Sequence, residues 1–278
     1  MKRFVLPAMF VIALAAPAAL GDAPVVLKTT EFGKGSTIVL VHDFGGTRTQ
    51  WLPTAKRLLA NHHVVMVDLP GHGESAMPDP FSLDAAAASL AQVVAKQKGD
   101  STIVVGQGVG GMIVLIAASK NPASMKGVVV IDGWTRSPQP IPEQMQKYFL
   151  QMLDTNYDAM LKQMFIPQGR DTIEGRTLHA YAVQVPPANI KAYVRQFLNA
   201  DVSGTLKGFK PKLLYIGTEK YWPADKKWAD YQATQGYTSA VGIESRRIDK
   251  TGPLVASQLP DTLASVLDDF AARSIASK

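Results

Sequence analysis

The sequence predicts an α/β fold: a mostly parallel, doubly wound sheet of about seven strands, with a helical cap inserted into it. Three observations lead there. Short, continuous apolar runs bounded by turn residues recur along the chain, and such runs suit strands buried on both faces of a parallel sheet. Helical patterns alternate with these runs, as they do in wound α/β folds. One stretch, residues 137–209, breaks the alternation: it is helical in pattern and has no convincing strand.

Taken in order, residues 1–21 read as a secretory leader. Lys2 and Arg3 form its charged start, residues 4–20 are apolar, and Ala19-Leu20-Gly21 supplies small residues for cleavage. Pro7 and Pro17 interrupt the apolar part, which is at the short limit for a membrane span; an uncleaved anchor is the alternative. Strands are expected at 25–30, 37–42, 63–68, 102–106, 127–132 and 212–217, with a weaker one at 245–249. The chain before Val25 is too short for a further edge strand, hence about seven. Residues 51–61 are amphipathic. Residues 82–96 are Ala-rich, with Ser82 as the N-cap. Residues 110–118 are apolar all round, as a buried helix is, and 259–274 form a closing amphipathic helix. Within 137–209, helices are expected at 142–153, 157–165, 172–183 and 187–199, punctuated by Pro167, Gly169, Pro186 and Pro187. The expected organisation is therefore a leader (1–21), a first core part (22–136), a helical cap (137–209) and a second core part (210–278).

Composition narrows the function. The 278 residues include no cysteine, which excludes disulfides, zinc–thiolate sites and a cysteine nucleophile. The five histidines are scattered and show no metal-ligand spacing, so no metal and no cofactor are expected. The formal charge is +6, about +4 once Lys2 and Arg3 are set aside, and the basic residues are interspersed with acids. Nucleic-acid binding has little support in that pattern. The expectation is a secreted or periplasmic protein with a small-molecule ligand, without stable membrane association after leader cleavage; the oligomeric state is left open.

The most informative segment is Thr102-Ile-Val-Val-Gly-Gln-Gly-Val-Gly-Gly111. Gly106, Gly108 and Gly111 satisfy a dinucleotide fingerprint between a strand and a helix, and Asp132 ends the next strand, where an acid would take a ribose. That is one reading. The neighbouring segments favour another. Residues 42–46 read His-Asp-Phe-Gly-Gly and are followed by Trp51, and residues 68–75 read Asp-Leu-Pro-Gly-His-Gly-Glu-Ser. These segments and the glycine turn, in this order, resemble the α/β-hydrolase superfamily, in its esterase and C–C hydrolase-like branch with a helical cap. A dinucleotide fold would put its glycine turn after the first strand and does not predict the other two segments.

The resemblance implies that Gly106-Gln107-Gly108-Val109-Gly110 is the nucleophile elbow, G-x-S-x-G, with Gly108 at the serine position. Glycine offers neither nucleophile nor proton donor. The general-base position falls on Pro253, which neither accepts nor relays a proton. The acid position falls on Lys220, with Glu219 or Asp225 as substitutes, or on Asp132 at the end of the earlier strand. The oxyanion hole, made of backbone N–H groups, would fall on Val109 and Phe44. With serine replaced by glycine, the resemblance implies a relaxed elbow, an enlarged pocket floor and an anion-receiving site without chemistry, suited to a ligand with a carboxylate or carbonyl.

Asp43 stands where many relatives have glycine. It is read either as a base, unconventional nucleophile or ligand contact facing the pocket, or as a turn residue binding nearby backbone N–H groups. His42 braces its loop; His72 and Ser75 organise the turn after Asp68; His179 belongs to the cap. Trp134 is read as a pocket wall or as ordinary packing, and Tyr221 and Trp222 as space-filling near the absent acid. The functional expectation is a hydrolase-like pseudoenzyme that binds a small, largely apolar ligand. The alternatives are an esterase-like hydrolase with a non-standard catalytic set built on Asp43 or Asp132, a dinucleotide-binding oxidoreductase, and a scaffold for a partner.

Overall fold

A computed structural model describes residues 23–137 and 141–276; the leader expected at 1–21 lies outside the described residues. The chain lays down β1 (Thr29–Gly33), β2 (Ser36–Val41), α1 (Leu52–Leu58), β3 (His62–Val67), α2 (Leu83–Ala95), β4 (Thr102–Gln107), α3 (Val109–Lys120) and β5 (Gly127–Ile131). Four helices follow before the sheet resumes: α4 (Glu143–Thr155), α5 (Tyr157–Phe165), α6 (Thr172–Ala182) and α7 (Pro187–Phe197). Then come β6 (Lys212–Thr218), α8 (Trp228–Thr234), β7 (Glu244–Ile248), α9 (Val255–Gln258) and α10 (Pro260–Ala276).

The strands form one seven-stranded sheet in the order β1-β3-β2-β4-β5-β6-β7. Every pairing is parallel except that of the edge strand β1 with β3. The continuous apolar runs follow from burial on two faces. Val39, Val41, Val104, Val128 and Val130 pack with α2 and α3, whereas Ile38, Leu40, Ile103, Val105, Val129 and Ile131 pack with α1 and α10 on the other side. Helix α3 is buried on all sides from Val109 to Ala118, as its uniformly apolar sequence requires. Ser82 caps α2, accepting from the Ala85 N–H at 2.9 Å.

One strand lies later than expected. Residues 25–28 lie ahead of the paired strand: Ser89 accepts from the Val25 N–H, Ser75 from the Lys28 N–H, and Lys28 O accepts from the Asp68 N–H just past β3. Pairing begins at Thr29, opposite Val67. The β-branched pair Val25-Val26 drew the expectation forward, but an edge strand is set by pairing, and the polar Thr-Thr-Glu suits its half-open face. Helices α5 and α7 come down on the loops at the C-terminal ends of β2 and β3. Phe165 and Phe197 pack on Phe44, with ring centroids 5.3 and 5.1 Å apart. Tyr193 donates to Pro70 O and Asn189 to Gly71 O, at 3.0 and 2.8 Å.

Candidate functional site

The elbow is built as its glycines suggest. Between β4 and α3 the backbone at Gly108 takes φ 51° and ψ −121°, a region that side-chain-bearing residues enter only under strain. The other glycines of the turn permit close packing. A Cβ at Gly106 would meet the backbone of Gly110 and Gly111, one at Gly110 the carbonyl of His42, and one at Gly111 the side chain of Val130. These contacts replace the dinucleotide reading of Gly106, Gly108 and Gly111. The acid of that reading is also engaged: Asp132 accepts from the Thr218 N–H and from the Thr218 hydroxyl, both at 2.7 Å.

The space above Gly108 is occupied. A Cβ there would fall on the carboxyl group of Asp43. Asp43 Oδ1 accepts from the Phe44 N–H at 2.7 Å and from the Val109 N–H at 2.8 Å. These are the two donors that the resemblance assigns to the oxyanion hole, and both are taken by the chain's own carboxyl. The expectations of an enlarged floor and of a free anion-receiving site are therefore corrected. Removing the serine side chain vacates a volume lined by N–H groups, and the nearest acceptor fills it. The two readings of Asp43 are compatible: it binds backbone N–H groups and also lines the cavity beneath the cap. Burial raises its pKa from 3.8 to about 7, against the opposing effect of the two N–H bonds.

The remaining predicted positions are spread around this carboxyl. Asp132 directly follows β5, with φ 49°. Burial above all, together with the charges on Asp43 and Glu174, raises it to about 7 against the opposing effect of its Thr218 bonds. Pro253 lines the cavity, and its carbonyl accepts from Gln107 Nε2 at 2.5 Å. Lys220 is exposed in the turn after β6, as are Glu219 and Asp225. Glu219 accepts from the Lys250 N–H at 2.6 Å. Trp134 forms cavity wall together with Tyr221, whereas Trp222 is buried and stacks on Tyr231 at 5.5 Å. His179 is not among the cavity-lining residues. Glu174, which the sequence did not single out, reaches from α6 to accept from the Leu254 N–H at 3.0 Å and ties the cap to the loop that carries Pro253.

Two imidazoles close to the site are locked in neutral form. His42 accepts at Nε2 from the Leu69 N–H and so donates from Nδ1 to Asp43 O; His72 accepts at Nε2 from the Gly45 N–H and donates from Nδ1 to Pro70 O. Burial lowers them to about 4 and about 3. Asp68, also buried, bonds the Arg48 guanidinium and the N–H groups of Arg48 and Glu74, and Ser75 donates to Asp68 O. All of these groups hold loops in place; neither His42 nor His72 lines the cavity.

One serine does contact a histidine. Ser36 Oγ lies 2.8 Å from His62 Nδ1, and His62 Nε2 lies 2.8 Å from Asp268 Oδ1. The three residues stand at the opposite end of the sheet from the cap, where β2 and β3 begin, and tie both strands to α10. None lines the cavity.

That cavity holds about 340 Å³ between sheet and cap. Asp43, Gln107, Val109 and Asp132 face it from the sheet, Phe149, Met164, Gln168 and Phe197 from the cap, and Trp134, Tyr221 and Pro253 complete it. Size and largely apolar lining match a small-molecule site. A groove of about 490 Å³ between Arg136 and Asp201 is larger but more polar, and carries none of these groups. No metal-binding cluster of His, Cys, Asp or Glu occurs among the described residues, and no described helix is long and apolar enough to cross a membrane.

Comparison with known proteins agrees with this fold. A hydrolase from Oleispira antarctica superposes with a TM-score of 0.74 at 15% identity, over 88% of this chain and 94% of that one. A thermophilic esterase from Thermogutta terrifontis gives 0.74 at 18% identity, over 89% and 93%. In sequence, the chain is 35% identical to the pimeloyl-[acyl-carrier protein] methyl ester esterase of Pseudoalteromonas atlantica over 107 residues, 38% of this chain. That match spans only 40% of the relative's length. The profile of the alpha/beta hydrolase fold family matches residues 36–220. With the seven-stranded sheet and the elbow at Gly108, that match places the chain in the α/β-hydrolase family.

Proposed function

We propose that this protein is an exported, non-catalytic member of its family that holds a small, largely apolar molecule between sheet and cap. The observation that carries this reading is the Asp43 carboxyl, seated in the space of the family's serine side chain and on both oxyanion-hole donors. Acyl transfer needs a nucleophile, a base and a free oxyanion site. Here Gly108 and Pro253 stand at the first two positions and the third is filled. The methyl ester esterase activity named for the Pseudoalteromonas relative would need all three. The cavity of about 340 Å³ persists and supplies a reason for the fold to be kept. Export rests on the leader-like residues 1–21.

A second reading has one observation in its favour: a carboxyl titrating near 7 at the floor of a cavity is suited to activate water. A single experiment separates the two. Purified protein is assayed on p-nitrophenyl esters of increasing acyl length, and intrinsic tryptophan fluorescence, with Trp134→Phe as the control, is followed while small aromatic and aliphatic compounds are titrated in. Saturable fluorescence change without ester cleavage is the expected result. Cleavage above buffer that disappears in Asp43→Asn or Asp132→Asn overturns the non-catalytic reading. N-terminal sequencing of exported protein that begins after Gly21 is expected, and retention in the cytoplasm overturns the export part.

A further inference from the structure

We infer that the ligand is a small apolar molecule bearing a protonated amine, because Asp43 has turned the floor of this cavity from a donor of hydrogen bonds into an acceptor of them. The inference rests on the binding reading above and names its chemistry. An α/β-hydrolase elbow receives negative charge through two backbone N–H groups and a helix N-terminus. In this chain both N–H groups are spent on Asp43 Oδ1. At the elbow, the oxygens of Asp43, Gln107 and Asp132 are what remain. Asp43 Oδ2 has no hydrogen-bond partner among the described residues. Gln107 is 7% exposed and spends its amide nitrogen on Pro253 O, which leaves its carbonyl oxygen without a partner there. Asp132 takes one bond on each oxygen, both from Thr218, and has capacity for more.

Charge points the same way. Two carboxyl groups line the cavity, and among the described residues lining it there is no Lys, Arg or His. Buried carboxylates are ordinarily paired with a cation, since an unpaired charge in an apolar site is costly. A cationic ligand supplies the missing partner. Trp134, Phe149, Phe197 and Tyr221 offer apolar surface for the rest of the molecule, and aromatic faces attract an ammonium group. A carboxylate ligand would meet two like charges and no free donor from the elbow, so the chemistry expected from the family's oxyanion hole is reversed.

The test uses three probes with one skeleton, 4-phenylbutylamine, 4-phenylbutanol and 4-phenylbutyrate, titrated calorimetrically into the purified protein at pH 8. A buried hydrogen bond between charged groups supports a preference of about tenfold or more for the amine over both other probes. Asp43→Asn keeps the shape and the acceptor for Phe44 and Val109 but removes the charge; it is expected to weaken the amine about tenfold and leave the alcohol within about threefold. Asp132→Asn serves as a second variant, and thermal melts establish that each is folded. Equal binding of amine and alcohol, or preference for the carboxylate, overturns the inference and leaves the binding reading standing. Failure of all three probes to bind overturns both.

Discussion

Asp43 and Gly108 are expected to behave as one energetic unit, which a double-mutant cycle measures. In Gly108→Ala the new Cβ must take the space held by the Asp43 carboxyl, at a backbone with φ 51° and ψ −121°. Backbone strain there costs about 1–3 kcal/mol. Driving Asp43 out also forfeits its bonds from Phe44 and Val109. At pH 3 the carboxyl holds its proton in the folded chain, where it titrates near 7, and largely in the unfolded chain as well, so its titration adds little to the energies and each bond counts as a neutral one, about 1 kcal/mol. Gly108→Ala then costs about 4 kcal/mol, and Asp43→Gly, which loses the same two bonds, about 2 kcal/mol. The pair costs about 4 rather than about 6 kcal/mol, since two bonds are lost only once, and the coupling is about 2 kcal/mol. The effect of a gained or lost glycine on the unfolded chain is the same in single and double variants and cancels in the cycle. Urea unfolding of the four proteins at pH 3, followed by far-UV circular dichroism, gives the energies. Additivity within about 0.5 kcal/mol would refute the packing of Asp43 against Gly108, and the loss of the oxyanion site would go with it.

Three further outcomes follow from the same geometry. Asp43 titrates near 7 in the folded chain against an ordinary 3.8, so between those values the folded state keeps a proton the unfolded chain has released, and the carboxyl costs stability as pH rises. Asp43→Asn should therefore gain on the wild type by about 2–4 kcal/mol between pH 4 and pH 7 and show a constant difference above that; a difference independent of pH contradicts the burial of this group. Gly108→Ser alone should give no esterase activity, because Pro253 leaves it without a base, whereas Asp43→Gly, Gly108→Ser and Pro253→His combined should hydrolyse p-nitrophenyl butyrate above buffer. Ser36→Ala should cost about 1 kcal/mol of stability and leave ligand binding intact; a hydrolytic activity that vanished with it would move the functional site to the other end of the sheet.

Much of the fold is legible in the residues. Strands buried on two faces must be apolar throughout, so β2 to β6 announce themselves, and α3 does so by being apolar all round. The elbow is legible because only glycines tolerate the packing at 106, 108, 110 and 111, and Gly108 and Pro253 are legible as the residues that the resemblance puts at the nucleophile and base positions. Edges are less legible: β1 begins at Thr29 rather than Val25, because pairing with β3, not residue preference, decides where an edge strand starts. Helix α8 is not legible in the sequence, since Trp228 and Tyr231 pack against Tyr215 and Trp222 through the tertiary fold.

What the sequence by itself determined is thus the wound sheet and the glycine elbow, with Gly108 and Pro253 at the positions that the resemblance assigns to nucleophile and base. What only the tertiary structure decided is where Asp43 puts its carboxyl. Residues 43 and 108 lie on different loops, which the resemblance brings to one oxyanion hole without saying where the Asp43 carboxyl goes; parallel pairing of β2 with β4 brings their ends together. A vacated volume lined by two N–H groups then draws the nearest acceptor, and that contact, set by distance in space rather than along the chain, reverses the polarity of the site.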